Sequence, residues 1–204
     1  PKIIAGFSDL SALLNPVFER TGLVTLHAPM VINLGTPTPF TLKSLLNAIN
    51  GYPEKNLLKG APCKVYNPGS ATGTLKGGNL ITLTALIDTP WEIDTTGAIL
   101  FLEDVDEELH GVDRLLTQWN LAGKLNRIKA LILGDFRGIG SQKIYNILAS
   151  QMALNVPVVH CPYIGHVANK ITLPIGAVRF VGLWFTQAEG GALFTVALPS
   201  IANL

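Results

Sequence analysis

Between residues 98 and 160 three apolar runs (98–102, 130–133 and 156–160) alternate with two helical stripes. Apolar runs of four or five residues bounded by turn residues read as buried strands. The first stripe is Leu109, Val112, Leu116 and Trp119, stopped by Gly123; the second follows Ser141 with Ile144, Ile147, Leu148 and Met152. Strand, helix, strand, helix, strand at this spacing leaves few folds open. The strands must run parallel, joined by right-handed crossovers, in an α/β layer. Residues 178–185 and 192–198, joined through Glu189-Gly190-Gly191, are expected to close the sheet as a hairpin.

The part before residue 98 is less regular. Residues 3–5 read as a short strand ending at Gly6. A helical pattern follows from Asp9, with Leu10, Leu13, Leu14 and Val17 on one face. Pro16 lacks a backbone donor, so it is expected to end that helix, with Asn15 capping a second short one. Residues 23–26 suggest a strand closing at His27-Ala28-Pro29. Residues 33–75 are rich in Pro and Gly and read as an interdomain connection, with one helix near 41–49 and a strand near 64–66. Asn79 is expected to cap a helix over 80–87. The division is therefore 1–35, the last strand and helix of an amino-terminal α/β domain; 36–75, connection; and 76–204, a carboxy-terminal α/β domain with a mostly parallel sheet.

Composition excludes several classes of partner. The net charge is +1 and no basic stripe appears, which argues against nucleic acid. Charged residues make up 14% of the 204, against roughly 25% in an ordinary soluble domain. With a mean hydropathy of +0.37, such a chain hides more surface than usual or expects a partner. No apolar run approaches the ~20 residues that cross a bilayer, and no signal peptide is visible. Cys63 and Cys161 allow one disulfide at most, so the expected setting is reducing and cytoplasmic. The cysteines and histidines lack zinc-ligand spacing, so no metal is expected.

The chemistry lies in three polar residues that each follow an apolar run: Ser8, Glu103 and His166. In α/β folds reactive groups collect beyond the carboxyl ends of strands. A serine, an acid and a histidine delivered there in that chain order are the parts of an α/β-hydrolase triad. A sharp turn at Ser8 would expose its hydroxyl and aim the Asp9 backbone N–H at a developing oxyanion. Ser8 or Asp9 also suits a plain helix cap. Glu103 at a strand end can orient an imidazole, with Asp104 as its substitute, or it is one of two solvated carboxylates. His27, near the same rim as Ser8, is the alternative base; His110 reads as surface and His160 as a core histidine. Cys161 is a possible nucleophile, although a cysteine in an apolar stretch is more often inert packing. The glycine-rich residues 73–79 read as a tight turn opening a helix. There the backbone N–H groups near Gly78 and Asn79 could face an anion such as a peptide carboxylate.

Taken together, Gly6-Phe7-Ser8-Asp9-Leu10-Ser11-Ala12-Leu13, His27-Ala28-Pro29, Leu75-Lys76-Gly77-Gly78-Asn79-Leu80, Ile99-Leu100-Phe101-Leu102-Glu103-Asp104-Val105, Asp113-Arg114 and Gly165-His166 resemble the LD-carboxypeptidase family, also called muramoyltetrapeptide carboxypeptidases. The resemblance implies a serine peptidase that cuts between an L-configured diamino acid centre and the terminal D-alanine of murein tetrapeptides, in peptidoglycan recycling. It implies Ser8 as nucleophile, Glu103 as acid and His166 as base. Asp9 N–H would supply part of the oxyanion hole; Gly78 and Asn79 stay substrate-binding candidates on the reading of the glycine-rich segment alone. No cofactor is implied, and a homodimer is expected. Family members carry an amino-terminal stretch before the serine motif, with a glycine loop for the second oxyanion donor. Residues 1–204 by themselves are therefore expected to have little activity. Ala28 and Asp88 stand where the family has Gly in its His-Gly-Pro and Gly-Thr-Pro turns. The readings set against this one are a self-immunity peptidase cleaving a peptidyl-nucleotide antibiotic, for which Trp91 is the candidate base-stacking aromatic, and a silent module binding cell-wall peptides.

Overall fold

The computed structural model describes residues 2–52, 56–151, 155–186 and 189–196, the strands beyond residue 177 by their backbone. The strands are β1 Ala5–Gly6, β2 Thr25–His27, β3 Lys64–Asn67, β4 Gly69–Asn79, β5 Ala98–Asp104, β6 Ala130–Phe136, β7 Val158–His160, β8 Leu173–Ile175, β9 Val178–Thr186 and β10 Glu189–Val196. The helices are α1 Ser11–Thr21, α2 Pro39–Ile49, α3 Leu80–Thr84, α4 Leu109–Leu121 and α5 Ser141–Gln151.

Two sheets form, with orders β1-β2-β8 and β10-β9-β4-β5-β6-β7-β3. In the large sheet β4 to β7 run parallel, as the strand and helix alternation requires, while β9 and β3 run the opposite way and β10 pairs antiparallel with β9. The fold is α/β, with a parallel centre and a hairpin at one edge. Glu189-Gly190-Gly191 lie within β10 rather than in the hairpin turn; residues 187–188 and 197–198 lie outside the described residues.

Strand parity explains the apolar runs. Ile99, Phe101, Ile132 and Val159 pack on one face, with Leu26, Leu173 and Ile175 of the small sheet. Leu100, Leu102, Leu131, Leu133 and Val158 pack on the other, with Val112, Leu116 and Trp119 of α4 and Ile144 and Leu148 of α5. A strand covered on both faces needs apolar residues at every position. Each such side chain contributes about 1.5–3 kcal/mol on burial. On β5 this parity puts Glu103 on the Phe101 side, toward the small sheet.

Residues 69–79 form a strand, not the expected glycine-rich turn. β4 pairs with β9 through its first half and with β5 through its second. The glycines mark close backbone approach. A Cβ on Gly73 would meet the Gly97 carbonyl, and one on Gly77 the Phe101 carbonyl. Asn79 caps the following helix, its Oδ1 accepting from Thr82 N–H at 3.1 Å, but α3 stops at Thr84.

Pro16 does not end the helix after Ser8, and Asn15 is not a cap. A 3-10 turn, Ser8–Leu10, runs into α1, which continues through Pro16 to a left-handed Gly22. Asn15 is buried and does the work of a strand neighbour. Its Nδ2 donates to the Gly77 carbonyl at 2.9 Å, and Gly77 N–H donates to its Oδ1 at 3.1 Å. One turn earlier Ser11 Oγ accepts from Asn79 N–H at 3.1 Å. α1 is thereby fixed to β4, and a helix held by its neighbours tolerates a proline that an isolated one would not.

Candidate active site

Ser8 follows β1, Glu103 sits in β5 and His166 lies in the loop after β7, so three separate strands deliver the three side chains. His166 Nε2 stands 3.1 Å from Ser8 Oγ, and His166 Nδ1 stands 2.9 Å from Glu103 Oε2. With Nδ1–H donated to the carboxylate, Nε2 keeps a lone pair for the serine proton. Ser8 has φ 61, a left-handed backbone that non-glycine residues seldom adopt. Such strain concentrates at reactive sites. Asp9 follows in the first turn before α1, where backbone N–H groups lack helical acceptors.

Glu103 is wholly buried, and small residues make room for it. A Cβ on Gly165, whose φ is 121, would stand 2.9 Å from Glu103 Oε2, and one on Gly134 would stand 2.8 Å from Glu103 Cβ. Asp104, the substitute acid, points to the other face. It accepts from Asn79 Nδ2, Ile81 N–H and Val105 N–H, while burial raises its carboxyl above the usual range. Asn79 is committed within the fold through both ends of its amide, and a Cβ on Gly78 would strike Ser11 Oγ.

Four supporting residues carried no sequence signal. Phe7 lays its ring 4.8 Å from the His166 ring, centroid to centroid. Buried Lys170 donates from Nζ to the Gly165 carbonyl at 2.6 Å and stands 3.9 Å from the Phe7 ring centroid. Burial pulls this ammonium below its ordinary range, with Glu103 opposing. From α2, Thr41 Oγ1 donates to Ala168 O and accepts from Lys170 N–H, and Ser44 Oγ accepts from Thr172 N–H. A helix read as connection thus clasps the loop that carries His166. Only Gly165, beside His166, could have been picked out, as a position that tolerates no side chain.

The competing residues do not join this hydrogen-bonded line. His110 is exposed against Glu108. Cys161 is buried, and the Cys63 hydrogen bond, then burial, push its thiol well up, which suits packing and not attack. His27 is fully buried between Phe7 and Phe101, with neither ring nitrogen hydrogen-bonded among the described residues. Burial lowers its pKa to about 4; Lys170 and His166 add to this and Glu103 opposes it. A depressed histidine leaves stability intact above its ordinary 6.5 and removes it as pH falls toward 4, by about 3 kcal/mol in all. Urea unfolding of the full-length protein should therefore show wild type losing this much relative to His27→Phe between pH 7 and 4. Asp104 and Asp135, whose carboxyls burial pushes up, act in the opposite sense and are common to both proteins. Parallel curves would place the acid sensitivity elsewhere. Among the described residues no cluster of His, Cys, Asp or Glu is arranged to hold a metal ion, and no helix is long and apolar enough to cross a membrane.

A hydroxyl, an imidazole and a buried carboxylate in one hydrogen-bonded line, at strand tips of an α/β fold, have the form of a serine hydrolase site. Residues 72–179 match the family model described as LD-carboxypeptidase C-terminal domain. The chain belongs to the LD-carboxypeptidase family. It is 36% identical over 187 residues to a probable murein peptide carboxypeptidase of Bacillus subtilis, covering 87% of this chain and 59% of the relative. It is 28% identical over 211 residues to the microcin C7 self-immunity protein MccF of Escherichia coli, covering 86% and 61%. A solved muramoyltetrapeptide carboxypeptidase from Oxalobacter formigenes superposes with a TM-score of 0.74 at 26% identity, covering 98% of this chain and 69% of that one. The chain spans about 60% of the length of the curated relatives it matches.

Proposed function

We propose that this chain carries the nucleophile, acid and base of a serine carboxypeptidase that releases D-alanine from murein tetrapeptides in the cytoplasm. The observation that carries this reading is the line from Glu103 through His166 to Ser8, at 2.9 and 3.1 Å. Ser8 Oγ attacks the carbonyl of the diamino acid residue while His166 Nε2 takes its proton. The carbonyl oxygen becomes an oxyanion facing the Asp9 N–H. As the C–N bond breaks, His166 returns the proton to the departing D-alanine nitrogen. Water, deprotonated by the same imidazole, then cleaves the acyl-serine. Glu103 holds Nδ1–H throughout and stabilises the imidazolium. In this reading residues 1–35 belong to a nucleophile domain and 76–204 to the domain of acid and base. The second oxyanion donor in this reading is a glycine loop of the kind the family carries before its serine motif, and the active form is a homodimer.

The peptidyl-nucleotide reading gains no support from Trp91. That ring lies under Arg20, 4.0 Å from the guanidinium carbon. Arg20 is near the far end of α1, about 14 Å of helix from Ser11. The test is D-alanine release by the full-length protein, with an L-diamino acid–D-alanine tetrapeptide and an aminoacyl sulfamoyl nucleoside as parallel substrates. Turnover of the peptide supports the proposal. Turnover of the nucleoside alone moves the function to the immunity class, and binding of peptide without turnover marks a silent module.

A further inference from the structure

The carboxypeptidase reading leaves one recognition task without a residue. Such an enzyme cuts only beside a free terminal carboxylate, and a cation that meets that group gives the strongest discrimination against an internal peptide bond. The site of that cation is constrained by the chemistry. His166 Nε2 protonates the departing nitrogen, so the leaving amino acid stands against the His166 ring. One carbon separates that nitrogen from the carboxylate. A cation bonded to the carboxylate therefore lies within roughly 6–9 Å of Nε2.

Arg137 is hydrogen-bonded to the residue that carries that ring. It follows β6 directly, at the carboxyl-end rim from which the site is built. Its backbone N–H donates to the Asp104 carbonyl at 3.2 Å, fixing the turn. Its Nη2 donates to the His166 carbonyl at 3.0 Å, so the guanidinium hangs from the residue that carries the base. The side chain is exposed. Guanidinium has five N–H donors in a planar fork that matches a carboxylate, and the His166 carbonyl occupies one.

Four other cations are committed elsewhere. Lys170 is buried under Phe7 and donates to Gly165 O. Lys76 is held by Glu19 and the Asp94 carbonyl, and Lys124 by Glu92 and the Ile93 carbonyl. Arg20 lies against Trp91. Among the described residues, Arg137 is the cation that both touches a residue of the Ser8, His166 and Glu103 line and reaches solvent. Asp135, two residues earlier, borders the same rim with the opposite charge. The β6 tip therefore offers an asymmetric pair instead of a broad basic patch.

We infer that Arg137 binds the terminal carboxylate of the substrate and makes the enzyme an exopeptidase. This rests on the carboxypeptidase reading above and adds a specificity residue to it. The contact forms before bond cleavage, on the leaving amino acid. It therefore favours both substrate binding and the alignment of the scissile nitrogen with His166.

The test compares kcat/KM of the full-length protein on a tetrapeptide with a free terminal carboxylate and on the same peptide as its terminal amide. Arg137→Gln removes the charge and shortens the side chain; Arg137→Lys keeps the charge and loses the fork. The free-acid to amide ratio should fall roughly 10²-fold in Arg137→Gln and partly recover in Arg137→Lys. A fall on both peptides alike would show that Arg137 only steadies the His166 loop, and would overturn the assignment. So would a ratio equal to that of wild type. If wild type releases D-alanine but the ratio does not respond to Arg137→Gln, the carboxypeptidase reading stands and this inference fails. If wild type releases none, both fail.

Discussion

Ser8→Ala and His166→Ala should each lower D-alanine release by the full-length protein about 10⁴–10⁶-fold, with folding retained, and the double variant should lose little more than either. The reason is geometric. His166 Nε2 stands 3.1 Å from the hydroxyl that needs a base. Removing either partner ends the proton transfer that makes the oxygen a nucleophile, so removing the second takes away nothing still in use. What survives is whatever rate the oxyanion donors and substrate positioning supply. Glu103→Gln should cost less than the loss of the histidine, because an amide still holds the ring but cannot balance an imidazolium. Additive losses in Ser8→Ala/His166→Ala would mean that the two residues act in separate steps. Retained activity in Ser8→Ala together with loss in Cys161→Ala would move the nucleophile to a thiol that the structure shows buried.

Gly77→Ala should destabilise the fold by at least about 3 kcal/mol, against about 1 kcal/mol for Gly97→Ala. Both glycines have positive φ, 141 and 69. Their surroundings differ. A Cβ at Gly97 meets nothing within 4 Å, so only backbone strain is felt there. A Cβ at Gly77 would enter the Phe101 carbonyl, on the neighbouring strand. Relief would push β4 from β5 and loosen the Asn15 bonds that tie α1 to the sheet. Leaving the buried Asn15 amide unpaired adds a further penalty. Urea midpoints for the two variants decide the matter, and equal losses would show that close strand packing at Gly77 is not the constraint.

The parallel centre was legible because strands covered on both faces must be apolar at each position, as residues 98–102 and 130–133 are. The same argument put Glu103 at a strand end, where a solvated carboxylate was as open a reading as an orienting acid, and only the set with Ser8 and His166 favoured the acid. β4 was not legible. Its glycines and Lys76 carry no apolar period, because the strand is recognised by how near other backbones come and not by what it buries. Pro16 misled for a related reason. Proline propensity describes a helix in water, whereas α1 is held to β4 through Asn15. The pairing of His166 with Ser8 joins residues 158 apart in sequence; it was expected from chain order and family resemblance, because no local pattern reports on that distance. Thr41 and Ser44 escaped notice because a hydroxyl that grips a remote loop looks, in sequence, like any helix-start polar residue.

The left-handed backbone at Ser8, with φ 61, sets durability and reactivity against each other. Glycine would occupy that conformation without the roughly 1–2 kcal/mol that an L side chain pays in the same region. A lineage selected only for heat resistance would therefore drift toward losing the hydroxyl proposed here as nucleophile. Under the proposed function, selection that keeps serine there acts on the reaction, and the offsetting stability comes from elsewhere, above all the buried β5 and β6 strands.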